Sequence, residues 1–389
     1  MGGVLNGIRV VEQGTFITGP CAGMMLADLG ADVIKVESPD GDPYRSYQGD
    51  HYSPHFQAYN RNKRSIALDL KKTEERDLFD GLVREADVFI QNFRPGTAAR
   101  LGAGSDRLKA INPRLIYTSI SGFGSSGPYA ERPSYDSVAQ ALSGFLSVVV
   151  DSSRPRFLGP ALADAITGIY AAYGVLGALV QRGRTGQSAL VEVSMLEAMA
   201  HFAIEPFAAY FSLGATPTSS DRPRLAQAYI LRTADSRLIA IHLSSLEKFW
   251  DGLVAALEAP ELASDERFRL RQARIENYDS LNTELDRRFS RRDLAHWIER
   301  LGRHDVPYAP INTIDEVVHD PQVQHLGLIV PVEAAHGGDR SVRPPVQFGG
   351  ARESFVRAAP LLNEHGDSIR AAIARGGQWP AMPGAGAHQ

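Results

Sequence analysis

The sequence predicts an α/β fold in which a large Rossmann-like domain with a parallel sheet is accompanied by a smaller α+β domain. Two observations support the large domain: short strands alternate with helices, and apolar residues stand at consecutive positions in the strands, as at 32–37. Strands of this kind are typical of parallel sheets that are covered on both faces. The length of 389 residues exceeds the usual size of one hydrophobic core, which predicts the second domain.

The first part of the chain contains a βαβ unit followed by more strands of the same kind. A strand at 8–12, a helix at 20–29 and a strand at 32–37 form the unit. The pattern continues with strands at 65–70, 87–91, 115–120 and 190–194, and with helices at 73–85, from 137 onward and, at greater length, after Pro160. Strands that are joined through helices imply a parallel sheet.

A run rich in Pro, Ser and Thr at 216–224 is a plausible linker to the second domain. Two paired strands, at 228–231 and 238–243, and helices around 246–257 and 292–301 are predicted beyond it. We therefore expect a discontinuous large domain, a small domain and a flexible tail rich in Gly, Pro and Ala. Their predicted ranges are 1–215 with 311–375 for the large domain, 225–310 for the small one and 376–389 for the tail.

The composition excludes several classes of function. Hydrophobic residues at 43% and charged residues at 22% are typical of a globular protein. A net charge of −4 provides no general attraction to nucleic acid or to an anionic membrane, so neither is expected as a partner. We find no uncharged run of membrane-spanning length, and the lone Cys21 argues against disulfides and thiolate zinc sites. A cytoplasmic location is expected.

The first turn between strand and helix does not fit a nicotinamide cofactor. Residues 12–20 lack the G-x-G-x-x-G pattern, and the bulky Phe16 and Ile17 stand where close approach of a pyrophosphate requires glycine. Glu37 closes the second strand, where a ribose-binding carboxylate could lie. We interpret it instead as a solvated strand end, and we expect no nucleotide redox cofactor.

Basic residues flank the predicted strands. They are Arg61, Lys63, Arg64, Lys71, Lys72, Arg94 and Arg100. One interpretation is a solvated rim. The other is a site for a polyanionic ligand, because open parallel sheets bind ligands at their strand ends and guanidinium groups suit phosphate.

Asp164 lies near the start of the long helix, where a carboxylate often caps free N–H groups or offsets the helix dipole. The same position is expected to keep the carboxylate ionised, as nucleophilic catalysis requires. Gly168, one helical turn later, is expected to leave room for a ligand on that face. Residue spacing alone leaves both roles open.

Several motifs, taken in order, resemble the class III CoA-transferases, a family that includes formyl-CoA:oxalate, carnitine and bile-acid-inducible transferases. The resemblance runs from about Leu5 to His365. It rests on Gly19-Pro20, residues 29–37, 60–71, 92–96 and 121–129, Tyr135-Asp136, the segment around Asp164, and residues 320–323.

This resemblance implies a coenzyme A transferase that uses acyl-CoA and a carboxylic acid, with no metal and no ATP, and that forms a homodimer of interlocked rings. Asp164 matches the catalytic aspartate, which forms a mixed anhydride and then an aspartyl-CoA thioester. Backbone N–H groups would stabilise the oxyanions. The implied CoA site consists of Thr15, Phe16, Ile17, Thr18, Leu68, Asp69, Leu70, Lys71, Asn92, Phe93, Arg94, Arg100 and Tyr135.

Departures from the family pattern leave the acids unidentified. The glycine-rich loop of the oxalate transferases has no counterpart around 221–229, and Ser38 stands where a basic residue is common. The main alternative is an α-methylacyl-CoA racemase or epimerase, which places a histidine where this chain has Tyr135. Because an ordinary phenol, with a pKa near 10, is a poor base at neutral pH, transfer is favoured. A non-catalytic acyl-CoA-binding protein would leave Asp164 without a role.

Overall fold

The computed structural model describes residues 3–48, 51–157, 159–244, 247–333, 336–350, 356–375 and 378–380. The strands are β1 (Arg9–Gln13), β2 (Asp32–Glu37), β3 (Arg64–Ala67), β4 (Val88–Gln91), β5 (Ile116–Ser121), β6 (Leu190–Ser194), β7 (Ala228–Arg232), β8 (Leu238–His242), β9 (Tyr308–Pro310), β10 (Ile329–Glu333), β11 (Arg340–Val342) and β12 (Val356–Arg357).

The α-helices follow the same chain order, and short 3-10 helices lie at Pro43–Ser46 and Phe145–Val148. The helices are α1 (Thr18–Asp28), α2 (Pro54–Asn60), α3 (Thr73–Glu85), α4 (Thr97–Arg100), α5 (Ser105–Ile111), α6 (Asp136–Leu142), α7 (Leu162–Thr185), α8 (Met195–Phe202), α9 (Ile204–Leu213), α10 (Asp221–Ala226), α11 (Lys248–Ala256), α12 (Pro260–Ser264), α13 (Arg271–Glu276), α14 (Tyr278–Phe289), α15 (Leu294–Arg303), α16 (Ile314–Val317), α17 (Pro321–Leu326) and α18 (Gly366–Ala374).

The chain divides into two compact units. The first contains Met1–Leu146, Phe157–Ile204 and His325–Gln389, and the second contains Ser147–Arg156 and Glu205–Gln324. The sequence placed its boundaries at 215 and 311. Part of the predicted linker is helical, because α10 occupies Asp221–Ala226.

The first unit is built on a six-stranded sheet with the order β3-β2-β1-β4-β5-β6. Every neighbouring pair is parallel, which confirms the predicted α/β fold with a parallel sheet. Strand β3 ends at Ala67, earlier than predicted, because the chain turns at Asp69. The Asp69 carbonyl accepts from the N–H of Lys72 at 2.9 Å.

Successive residues of the central strands point to opposite faces of the sheet, and each face has its own hydrophobic core. Val10, Val33 and Val88 pack with α1 and α7 on one face. Their chain neighbours Val11, Ile34 and Phe89 pack with α3, α5 and α18 on the other. This arrangement explains the continuous apolar strands of the sequence.

Helix α7 is the longest helix in the described part of the chain and carries Asp164 in its first turn. By length and composition it could cross a membrane, a property that it shares with core helices of globular proteins. Ala171, Ala172, Val175 and Ala178 of α7 are buried in the sheet core. The helix therefore contributes one wall of the first unit.

The second unit has its own sheet, with the order β7-β8-β9 and antiparallel pairing. This confirms the pairing predicted for 228–231 with 238–243. Helices of the unit surround a core that includes Trp250, Phe289 and Trp297. The rings of Phe289 and Trp297 stack at 4.3 Å between centroids.

The tail predicted to be flexible, 376–389, falls mostly outside the described residues. Within 378–380, Trp379 packs against the core of the first unit, and its Nε1 donates to Asp32 Oδ2 at 2.9 Å. The neighbouring Pro380 carbonyl accepts from Arg64 Nη2 at 3.1 Å. Trp379, which lies within the predicted tail, therefore has packing partners in the first unit.

Candidate active site

A pocket of about 840 Å³ opens at the carboxyl ends of β1, β4 and β5 in the first unit. The chain runs outward from β1 through β2 to β3 on one side and from β4 to β6 on the other. Such a reversal of strand order opens a crevice where parallel sheets bind ligands. The predicted site residues that line the pocket are Thr15, Phe16, Ile17, Thr18, Asn92, Phe93, Arg94, Tyr135 and Asp164.

The other predicted CoA-binding residues are Leu68, Asp69, Leu70, Lys71 and Arg100, and they do not line this pocket. Leu68 and Leu70 are buried in the sheet core, so their side chains serve packing. Arg100 is exposed and its Nη2 donates to Thr97 Oγ1 at 2.8 Å. A contact of these residues with CoA stays a prediction.

The loop after β1 is held by side chains from two neighbouring segments. Asn92 accepts from the N–H of Thr15 at 2.9 Å and donates to the carbonyl of Thr15 at 2.8 Å. Asp42 Oδ1 accepts from the N–H of Phe16 at 3.1 Å. These bonds hold Phe16 at φ +58°, a left-handed conformation that bulky residues seldom adopt.

A buried group of charges lies directly under this loop. Lys35 Nζ contacts Glu12 Oε1 and Asp42 Oδ2, each at 3.0 Å, and Lys63 Nζ contacts Glu12 Oε2 at 2.6 Å. Burial alone would raise the pKa of Glu12, but the two ammonium groups outweigh burial and hold that pKa below its usual range. Lys35 also donates to the carbonyl of Gly14 at 2.7 Å, which ties the charges to the pocket loop.

Two sequence interpretations are corrected here. Glu37 is not a solvated strand end, since it is buried and accepts from Arg45 Nε and Nη2, each at 2.7 Å. Lys63 and Arg64 are neither a solvated rim nor a ligand site, because both are buried and paired, Arg64 with Asp32 at 2.7 Å. The spacing of basic residues could not show these partners, which come from other strands.

Asp164 is not a helix cap. The residue before α7, Ala161, provides no capping side chain either. Asp136 performs this role from α6, and its Oδ1 accepts from the N–H of Ala163 at 2.7 Å and of Asp164 at 3.3 Å. In the described part of the chain no hydrogen bond reaches the carboxylate of Asp164.

The expectation that Asp164 stays readily ionised is also wrong. Burial, and next the negative charge of Asp136, raise the pKa of Asp164 to about 7. The carboxyl group thus loses its proton only near neutral pH. Once ionised it is more basic than an ordinary carboxylate, whose pKa is about 4.

Gly168 does not leave room for a ligand. A Cβ atom at this position would lie 2.6 Å from Cys21 Cβ and 3.0 Å from the carbonyl oxygen of Thr18. The glycine therefore permits close packing of α7 on α1, on the side that faces the protein interior.

Sequence reasoning missed several residues of the pocket. Tyr44 and Tyr47, from the 3-10 helix and the residue after it, line the wall. Arg132 also lines it, and its guanidinium carbon lies 4.5 Å from the centre of the Tyr129 ring. Asp136 was noticed only as part of a motif. No local signal marks these residues, because their neighbours in the pocket are distant in sequence.

Among the described residues, no group of three or more His, Cys, Asp or Glu side chains could hold a metal ion. The charged groups that line the pocket are instead the carboxyl groups of Asp136 and Asp164 and the guanidinium groups of Arg94 and Arg132. These groups suit an anionic organic substrate and acyl chemistry at a carboxylate.

Comparisons with known proteins agree on one family. The model for CoA-transferase family III matches residues 5–366. The chain is 36% identical to the succinate–glutarate CoA-transferase of Agrobacterium fabrum, with 95% of each chain covered. It is 33% identical to the acetyl-CoA:oxalate CoA-transferase of Acetobacter aceti, again with 95% of each covered.

A third relative is the succinyl-CoA:mesaconate CoA-transferase of Haloarcula hispanica, at 34% identity over 93% of this chain and 94% of the relative. Among solved structures, a CAIB/BAIF family protein from Brucella suis superposes with a TM-score of 0.86 at 36% identity. The match covers 95% of this chain and 99% of that structure.

Proposed function

This chain belongs to CoA-transferase family III, and we propose that it moves CoA from an acyl-CoA to a carboxylic acid through covalent intermediates on Asp164. One observation carries the proposal. The carboxyl group of Asp164 lines a large pocket, accepts no hydrogen bond from the described residues and has a pKa raised to about 7. A carboxylate that is weakly stabilised in this way is a stronger nucleophile than an ordinary one.

The reaction proceeds in four steps that conserve the thioester. An oxygen of Asp164 attacks the carbonyl carbon of the donor acyl-CoA, and the C–S bond breaks. CoA is released as a thiolate, and the donor acyl group remains on Asp164 as a mixed anhydride. The thiolate then attacks the aspartyl carbonyl carbon, which releases the donor acid as its carboxylate and forms an aspartyl-CoA thioester. The acceptor carboxylate expels the thiolate to give a second anhydride. Attack of the thiolate on the acceptor carbonyl yields the new acyl-CoA and restores Asp164.

The basicity of Asp164 bears on the first of these steps. When the thiolate attacks the anhydride, Asp164 is the group that leaves. The better Asp164 is as a leaving group relative to the thiolate, the more readily the anhydride returns to the thioester. An ordinary carboxyl group, with a pKa of about 4, and a thiol, with a pKa of about 8.5, differ widely. Raising the pKa of Asp164 to about 7 reduces the difference in pKa between this carboxyl group and the thiol. The anhydride is then less unfavourable relative to the thioester.

We place the CoA moiety along the loops after β1 and β4. Most of the CoA-binding residues implied by the family resemblance line the pocket there. Arg94 is exposed at this edge, and a guanidinium group suits the phosphates of CoA. Asp69, Lys71 and Arg100, together with the backbone of Leu68 and Leu70, are proposed to contact CoA outside the part of the pocket described above.

For the exchanged acids we propose small dicarboxylates. The named relatives act on succinate and glutarate, on oxalate, and on mesaconate. Arg132 lines the pocket and is exposed, so it offers a positive charge for the second carboxylate. Succinyl-CoA with glutarate, oxalate or mesaconate is therefore the first set of pairs to assay, with monocarboxylates as controls.

The covalent role of Asp164 is tested by trapping. Incubation with an active acyl-CoA donor, followed by hydroxylamine, should convert the aspartyl thioester to a hydroxamate and raise the mass of the peptide that contains Asp164. The same peptide from protein without donor is the control. An unmodified peptide under turnover conditions would rule out the mechanism. Deuterium uptake at the α-carbon of a 2-methylacyl-CoA without any acceptor would instead support the racemase.

We further propose that the protein is a homodimer. Support comes from large apolar side chains left exposed in each unit: Tyr173 of α7 is 73% exposed, and Phe211 and Leu213 of α9 are 76% and 77% exposed. Exposed apolar surface is a common feature of surfaces that bind another chain. The molar mass in solution, from light scattering, decides between one copy and two.

A further inference from the structure

Asp136 connects two helices at the edge of the pocket. It is the first residue of α6, and its Oδ1 accepts from the N–H groups of Ala163 and Asp164 at the start of α7. Its Oδ2 accepts from Nε2 of Gln140 at 2.7 Å, and Gln140 is buried. Both oxygens are therefore fixed, which places a negative charge next to the first turn of α7.

The contacts of Asp136 remove a source of stabilisation from Asp164. Free N–H groups at the start of a helix, together with the helix dipole, would favour a carboxylate in the first turn. Here Asp136 already occupies the N–H groups of Ala163 and Asp164. The carboxylate of Asp164 is left beside a like charge and without those donors.

Other titratable and charged side chains surround Asp164 or line the same pocket. They are Asp136, Cys21, Tyr44, Tyr47, Tyr59, Arg94, Arg132 and Tyr135. Burial raises the pKa of Cys21 to about 11 and of Tyr44 to about 12, and it also raises the pKa of Tyr59. These three groups are neutral at neutral pH. Asp136 is thus the negative charge that acts on Asp164 from the described residues.

We propose that Asp136 is a positioning residue that withholds the N–H groups of α7 from Asp164 and, through its charge, adds to the effect of burial on the basicity and reactivity of that carboxylate. The proposal rests on the proposed function for its kinetic consequence. Its electrostatic part does not depend on the reaction. Asp136 itself need not touch the substrate, because it acts through α7 and through space.

The variant Asp136→Asn separates charge from capping, because an amide oxygen still accepts from N–H groups while the negative charge is lost. Asp136→Ser is a second neutral cap in case the first variant folds poorly. Asp106→Asn is the matched control, since Asp106 also lies in the first turn of a helix, α5, is exposed and does not line the pocket.

Two readouts are needed. Protein labelled with ¹³C at aspartate carboxyl carbons is titrated by NMR, and the signal of Asp164 is assigned from its absence in Asp164→Asn. The pH dependence of kcat/KM is measured for an active acyl-CoA and acid pair. In Asp136→Asn the midpoint of the Asp164 titration should fall by about one pH unit or more. The acid limb of kcat/KM should move with it, and the rate on the alkaline plateau should fall roughly tenfold.

Asp106→Asn should match the wild type in both readouts. Equal Asp164 midpoints in the wild type and in the neutral Asp136 variants would overturn the proposal, as would a shifted midpoint with an unchanged rate profile. Failure of the proposed function has a different signature, namely a wild-type protein that forms no adduct on Asp164. The NMR comparison would still decide the electrostatic part in that case.

Discussion

Replacing Asp164 with Asn should stabilise the protein at neutral and alkaline pH while it abolishes transfer. In the folded protein burial and the charge of Asp136 raise the pKa of Asp164 from 3.8 to about 7. The unfolded chain ionises near pH 4, so the folded state retains a proton that the unfolded state has lost. The contribution of Asp164 to the stability of the wild type therefore falls as the pH rises from about 4 to about 7, and then levels off.

The size of this effect follows from the shift. A difference of about three pKa units, at about 1.4 kcal/mol per unit, corresponds to roughly 4 kcal/mol. Asp164 borders an open pocket, where water screens part of the interaction, so we expect about 2–4 kcal/mol at full ionisation. An asparagine cannot ionise and escapes this loss. The variant should be close to the wild type at about pH 3.5 and exceed it increasingly up to about pH 7.5.

The assay is urea unfolding of both proteins at a series of pH values, followed by circular dichroism at fixed protein concentration. The quantity of interest is the difference in free energy of unfolding between variant and wild type at each pH. A difference that stays constant with pH would refute the assignment of a raised pKa to Asp164. A variant that is less stable than the wild type at pH 8 would show that the carboxylate stabilises α7, as a helix cap does.

Three other substitutions test the packing and the buried charges beneath the pocket. Gly168→Ala should lower the free energy of unfolding by about 1–3 kcal/mol, because its Cβ would meet Cys21 at 2.6 Å. Gly177→Ala on the same helix has open space and should be neutral or stabilising by up to about 1 kcal/mol; equal effects would contradict the packing argument. Lys63→Met should cost about 3–5 kcal/mol, because Glu12 keeps a buried charge with one partner fewer. Urea midpoints measure all three, and an unchanged midpoint for Lys63→Met would show that Glu12 takes up a proton at no cost.

The sequence predicts the parallel sheet well because the signal is local. A strand such as Asp32–Glu37 has consecutive apolar residues, Val33 and Ile34, that supply both of its faces, and both faces are buried in the structure. The helix at Thr73–Glu85 likewise has the predicted bounds. The hydrophobic pattern within each such segment, together with its neighbours along the chain, determines whether it forms a strand or a helix.

The candidate site is predictable only in part. The position of Asp164 near the start of a helix is visible in the sequence. Its proton affinity depends on burial and on Asp136, which lies 28 residues away and reaches it only in the fold. The same holds for Lys63. Its spacing in the sequence assigns it to a rim of basic residues, whereas the structure pairs it with Glu12 from β1. Long-range electrostatic partners leave no periodic trace in a sequence.

The core on one face of the sheet joins the two ends of the chain. Val11 and Ile34 of the first strands share it with Ile369 of α18, and Trp379 packs against it. During synthesis on a ribosome the early strands therefore emerge long before the residues that cover part of this face. The nascent chain must keep that apolar surface from other chains until residue 379 has emerged, and a tag that displaces Trp379 would expose it again.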